Sequence, residues 1–130
     1  KPLLGICLGM QLLLNSSEEG VQNGFGWIEG SVKSFKNRIP EKYKVPHMGW
    51  NNVEIVNNSK LYNGFEDEIK FYFVHTFYAE VSDSANCAAR CNYGIDFDAS
   101  IEKGNIFGAQ FHPEKSHKFG MKLLNNFAQL

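Results

Sequence analysis

The opening stretch, Lys1 to Gln11, constrains this chain more than any other. Leu3, Leu4 and Ile6 form a short apolar run that reads as a buried strand. Leu8 to Leu14 are good helix formers with no breaker after Gly9. Cys7 sits at the junction, flanked by Gly5 and Gly9. Gly-x-Cys-x-Gly has the layout of the Gly-x-Ser-x-Gly nucleophile elbow, with sulfur in place of oxygen. A tight strand-to-helix turn would hold Cys7 in a strained backbone conformation, and small neighbours would let the turn close. The helix N-terminus would favour the thiolate. The Leu8 N–H would be placed to donate to a developing oxyanion. A free cysteine more often acts as a small buried hydrophobe; the paired glycines argue against that here. Such an elbow strand normally follows others formed earlier in the chain, so an N-terminal part of the natural protein is expected to precede residue 1.

A thiol nucleophile needs a base, and the base needs an acid to fix its tautomer. Phe111-His112-Pro113-Glu114 supplies both. It follows the apolar run Ile106 to Phe111 and precedes a helical stretch from Ser116, which puts His112 and Glu114 in a loop at a strand end, where α/β sheets carry their sites. Pro113 would stiffen that loop.

Between these ends the chain reads mainly as strands. The polar run 15–20 ends the elbow helix, and a glycine-punctuated loop leads to a strand near 31–35. Pro40 and Pro46 bound a loop. Met48-Gly49-Trp50-Asn51-Asn52 looks like a turn, and Val53 to Val56 like a strand. Leu61 to Phe65 suggests a helical turn. Lys70 to Val81 carries the strongest strand signal, rich in aromatic and β-branched residues. Residues 85–93 read as a further strand. Residues 97–103 and 105–111 read as a hairpin about Lys103-Gly104. Ser116 is a plausible N-cap for a helix to Ala128, on which Phe119, Leu123, Leu124 and Phe127 form one core-facing stripe. The expected class is α/β, strand-rich, as a single domain over residues 1–130.

Composition narrows the function. The net charge is −1 with Lys and Arg scattered, which argues against a nucleic-acid surface or a polybasic membrane patch. No apolar run reaches membrane-span length, and no signal peptide opens the chain. Three cysteines without framework spacing suit a reducing, cytoplasmic setting. Cys87 and Cys91 are four apart, a poor zinc spacing with no second pair nearby, so no metal and no cofactor are expected.

Gly5-Ile6-Cys7-Leu8-Gly9-Met10-Gln11 together with Gln110-Phe111-His112-Pro113-Glu114 resembles the signature of class I (triad) glutamine amidotransferases. Within that class, Val45-Pro46-His47-Met48-Gly49-Trp50-Asn51 and Val74-His75-Thr76-Phe77-Tyr78 resemble the glutaminase subunits of imidazole glycerol phosphate synthases, with Thr76 where Ser is usual. The resemblance implies the strand-rich C-terminal portion of a flavodoxin-like domain, beginning at the elbow strand. It implies a triad of Cys7, His112 and Glu114 that hydrolyses glutamine through a cysteinyl thioester, with Leu8 N–H as one oxyanion donor. Gln11, Thr76 and Phe77 would bind glutamine. A (βα)8-barrel cyclase subunit would take the ammonia in a heterodimer, with His47, Trp50 and Lys115 near that interface. Two alternatives stand beside it: a paralogue supplying ammonia to amidinate a nucleotide-activated sugar for surface polysaccharide, and an inactive fragment kept to bind a partner.

Overall fold

The computed structural model describes residues 1–20, 22–66 and 68–130. Among them, nine strands join in one sheet: β1 (Leu3–Ile6), β2 (Ser16–Ser17), β3 (Gly30–Ser34), β4 (His47–Ile55), β5 (Lys70–His75), β6 (Phe77–Val81), β7 (Cys87–Asn92), β8 (Asp96–Lys103) and β9 (Ile106–Ala109). Two α-helices accompany them among the described residues, α1 (Leu8–Gln11) and α2 (His117–Ala128). Along the sheet the order is β2-β3-β6-β8-β7-β4-β5, and β9 leaves this path to bridge β8 and β1. The β1–β9 and β2–β3 pairs are parallel; the others are antiparallel.

The β1–β9 pair positions the site. Leu3 faces Ile106 and Ile6 faces Ala109, and the Cys7 N–H donates to the Ala109 carbonyl at 2.7 Å. β1 and β9 thus end side by side, with Cys7 next after Ile6 and Gln110 next after Ala109. His112 follows two residues later, tied to β5 by its N–H on the Tyr72 carbonyl at 2.9 Å.

Among the described residues, apolar side chains fill two cores. Adjacent β6 residues Tyr78 and Ala79 enter different ones, as strand alternation requires. The larger core is aromatic: Phe71 stacks on Phe111 with centroids 3.8 Å apart, and Phe35 meets Phe97 edge-on at 5.5 Å. The α2 stripe lies over it, with Leu123 buried and Phe119, Leu124 and Phe127 partly so. Gly120 lets α2 approach the preceding turn: a Cβ there would stand 1.8 Å from the Pro113 carbonyl oxygen.

Several expected elements shift. Residues 48–52 form no turn; they belong to β4, whose 47–52 half pairs with β5 and whose 53–55 half pairs with β7. Gly and Asn bias the local chain toward a turn, but two neighbouring strands outweigh that bias. Gly49 absorbs it at φ 123°. The elbow helix stops after one turn at Gln11, because residues 12–15 turn to donate and accept along the 24–30 loop, as in Phe25 N–H to Leu12 O at 2.8 Å. In the polar run Ser16–Ser17 pairs with β3. The single long strand over 70–81 is two, broken at Thr76. The hairpin about Lys103-Gly104 forms as read.

Candidate active site

Cys7 adopts φ 55° and ψ −111°, a combination L-residues rarely take. Gly5 permits the turn: a Cβ there would come within 2.6 Å of the Gly9 carbonyl oxygen. Gly9 itself faces open space. The turn presents the sulfur to a cleft of about 180 Å³ lined by Cys7, Leu8, Gln11, Glu19, His75, Thr76 and Phe77. The Leu8 N–H is near enough to the sulfur to pull the thiol's value down, and a tetrahedral oxyanion on an attacked carbon would form on that side.

The thiolate expectation is overturned. The Cys7 thiol is pushed above its ordinary value, chiefly by burial and further by the carboxylates of Glu114 and Glu19; the Leu8 N–H and the Gln110 amide pull the other way and lose. A one-turn helix has too few aligned peptides to supply the expected dipole. The resting group is therefore a thiol, and its proton must be taken up when it reacts.

His112 and Glu114 meet as the sequence predicts: His112 Nδ1 lies 2.8 Å from Glu114 Oε2. The carboxylate holds the proton on Nδ1, which leaves Nε2 as the basic nitrogen. Cys7 and His112 share the β1–β9 end of the sheet, and Glu114 is close enough to act on the thiol's charge. Among the described residues the sulfur and the imidazole are not hydrogen-bonded to each other; the sulfur's side-chain partner is Gln110, with Nε2 at 3.6 Å. Ser116, read as a helix cap, makes no cap bond. Its hydroxyl instead donates to the His112 carbonyl at 2.7 Å and accepts the Tyr72 N–H at 2.9 Å, pinning the His112 loop to β5.

Gln11 is buried and its Nε2 donates to Gln110 Oε1 at 2.9 Å and to the Phe77 carbonyl at 3.2 Å. Thr76 and Phe77 form the opposite wall of the cleft. Trp50 and Lys115 are exposed, and Trp50 lies flat against His117 with centroids 5.7 Å apart. His47 is not at the surface: only 2% exposed, it is stacked between Phe73 and Tyr93, because it occupies the inward face of β4 while Met48 and Trp50 are exposed. Sequence reading missed Glu19, Gln110 and His75 as parts of the site. Gln110 lies two residues from His112 and was within reach of inference; Glu19 sits in a polar loop with nothing in its spacing to mark it.

Cys87 and Cys91 are buried, and burial pushes both thiols up to about 12. Among the described residues no group of three or more His, Cys, Asp or Glu side chains could hold a metal ion, and no helix is long and apolar enough to cross a membrane.

Residues 1–130 match the family described as glutamine amidotransferase class-I. The imidazole glycerol phosphate synthase subunit HisH of Bdellovibrio bacteriovorus is 50% identical over 131 residues, covering 99% of this chain and 64% of that protein. The HisH 1 protein of Campylobacter jejuni is likewise 50% identical over 131 residues, covering all of this chain and 64% of the relative. The chain thus spans a little under two thirds of the length of these relatives. Among solved structures, the glutaminase domain of Trypanosoma brucei CTPS superposes with a TM-score of 0.64 at 18% identity, over 98% of this chain and 60% of its own, which is a likeness of fold. The elbow cysteine, the His–Glu pair past the end of the adjacent strand and the match along the whole sequence agree: the chain belongs to the class-I glutamine amidotransferase family.

Proposed function

We propose that residues 1–130 form a glutamine amidotransferase domain that hydrolyses glutamine and delivers the ammonia to a synthase, as in the HisH proteins it is similar to. The observation that carries this is the Cys7 thiol, held in a strained turn at the mouth of a cleft, with a His–Glu pair past the end of the adjacent strand. Cys7 Sγ attacks the side-chain amide carbon of glutamine and its proton passes to His112 Nε2. The carbonyl oxygen becomes an oxyanion facing the Leu8 N–H. Collapse expels ammonia, which takes the proton back from His112, and leaves a glutamyl thioester. His112 then draws a proton from water, whose oxygen attacks the thioester; glutamate leaves and the thiol is restored. Glu114 keeps His112 in the required tautomer and stabilises its charged form. The raised thiol value supports this order, because a neutral Cys7 reacts only where a base can take its proton.

Gln11, Thr76 and Phe77 hold the glutamine. Exposed Trp50 and Lys115 lie on the surface that meets a barrel-shaped cyclase partner, which caps the cleft and keeps ammonia from water. Three free cysteines suit the cytoplasm. The test has two parts. A glutamine-shaped electrophile should label Cys7 and spare Cys87 and Cys91, whose thiols are buried and un-ionised at neutral pH; labelling of Cys87 in place of Cys7 overturns the nucleophile. Ammonia release from glutamine should rise when the cyclase and its ribotide ligand are added; release that is unchanged by them removes the partner.

A further inference from the structure

We infer that His47 and His75 form a one-way hydrogen-bond relay that positions the Phe77 wall of the cleft and, through it, the Gln11 amide that faces a ligand; this rests on the glutaminase reading of that cleft. The direction follows from what each atom can do. The Phe77 carbonyl only accepts, so His75 Nδ1, 2.7 Å away, carries the proton. A neutral His75 then has a bare Nε2, and His47 Nδ1, 2.9 Å from it, must donate. That leaves His47 Nε2 bare, and it accepts from Asn51 Nδ2 at 3.2 Å. Asn51 cannot reverse its amide without loss: Nδ2 also donates to the Asn92 carbonyl at 3.0 Å, and Oδ1 accepts the Asn52 N–H at 2.8 Å.

Each imidazole is held in register by its surroundings. His47 and His75 face each other across β4 and β5. The His47 ring stacks on Tyr93 at 4.0 Å and on Phe73 at 4.7 Å, and His75 lies 5.2 Å from Phe35 and from Phe97. No carboxylate is bonded to either ring among the described residues, and burial drives the two imidazoles down to about 4 and about 3, so both are neutral at neutral pH. At the other end the Phe77 carbonyl accepts from both His75 and Gln11. Gln11 passes its amide to Gln110 Oε1, and Gln110 Nε2 reaches the sulfur. Both amide hydrogens of Gln11 are thereby used within the protein, and its Oε1 is the acceptor left for a ligand. Neither histidine lies within the triad; His47 does not line the cleft, and His75, which does, acts through the Phe77 carbonyl its ring holds, so both are positioning residues.

Two measurements decide it. In nitrogen-detected NMR of the unaltered protein at neutral pH, both His47 and His75 should be Nδ1–H tautomers; an Nε2–H or doubly protonated form of either overturns the relay. In His75→Phe, reaction of Cys7 with a glutamine-shaped electrophile should slow about tenfold, the loss expected for a hydrogen bond, while reaction with iodoacetamide stays within about twofold. His75→Asn, which returns an N–H to the Phe77 carbonyl, should recover most of the rate. Equal slowing with both reagents overturns the positioning role. Should His75→Phe not fold, the tautomers of the unaltered protein decide alone. Failure of the glutaminase reading is distinct: the unaltered Cys7 would then take iodoacetamide and ignore the glutamine-shaped reagent.

Discussion

Cys7 occupies a backbone conformation near the mirror image of extended chain, which glycine enters freely and other residues enter only under constraint. Such a residue stores about 1–3 kcal/mol. Cys7→Gly should therefore unfold later than Cys7→Ala, by about 1 kcal/mol after glycine's greater unfolded-state freedom is subtracted. Thermal denaturation of the two variants compares them free of activity, since both lack the thiol; coincident curves would mean the turn relaxes once sulfur is gone. The elbow was legible because two glycines and an apolar run lie within a few positions of Cys7. The thiol's elevated value was not, because it depends on burial and on Glu19 and Glu114, residues that folding brings in from separate loops.

The elements that read well are those whose pattern is decided within their own span. The α2 stripe, the β8–β9 hairpin and the aromatic strands of 70–81 all fall near their expected places. β4 did not, because Gly49, Asn51 and Asn52 favour a turn locally and only pairing with β5 and β7 makes them a strand. Ser116 misled in the same way: its position suits a cap, but its hydroxyl bonds across to Tyr72 and back to His112. Ser116→Ala leaves the Tyr72 N–H without that acceptor and should lower unfolding stability by about 1–3 kcal/mol, read as a shift in the urea midpoint. On the glutaminase reading it should also reduce kcat for glutamine, since the His112 loop loses one of its two ties to β5 and keeps only the His112 N–H on the Tyr72 carbonyl. A variant that loses stability with kcat intact would confine Ser116 to a structural role.

Across the molecule, the buried imidazoles make folding sensitive to acid. His47 and His75 fall to about 4 and about 3 from an ordinary 6.5, mainly by burial, with His47 and His112 adding to the effect on His75. Below pH 6.5 the unfolded chain gains protons at these positions that the folded chain refuses. Stability is therefore full above that value and declines as pH falls toward about 4 and then 3. Between about pH 7 and about pH 5 the loss should reach about 1–2 kcal/mol for each imidazole, and His47→Phe should flatten the curve by one share. Urea titrations across that range measure it, and a curve level between those limits would contradict neutral burial.

The β1–β9 register carries a kinetic consequence. Its partners lie roughly a hundred positions apart, so a loop of that length must close before the contact forms, and such high contact order slows assembly. Cys7 and the His112 loop come together only when this seam closes. Half-made chains thus carry an unassembled cleft, and on the glutaminase reading the arrival of Cys7 reactivity toward a glutamine-shaped reagent becomes a clock for closure of this seam.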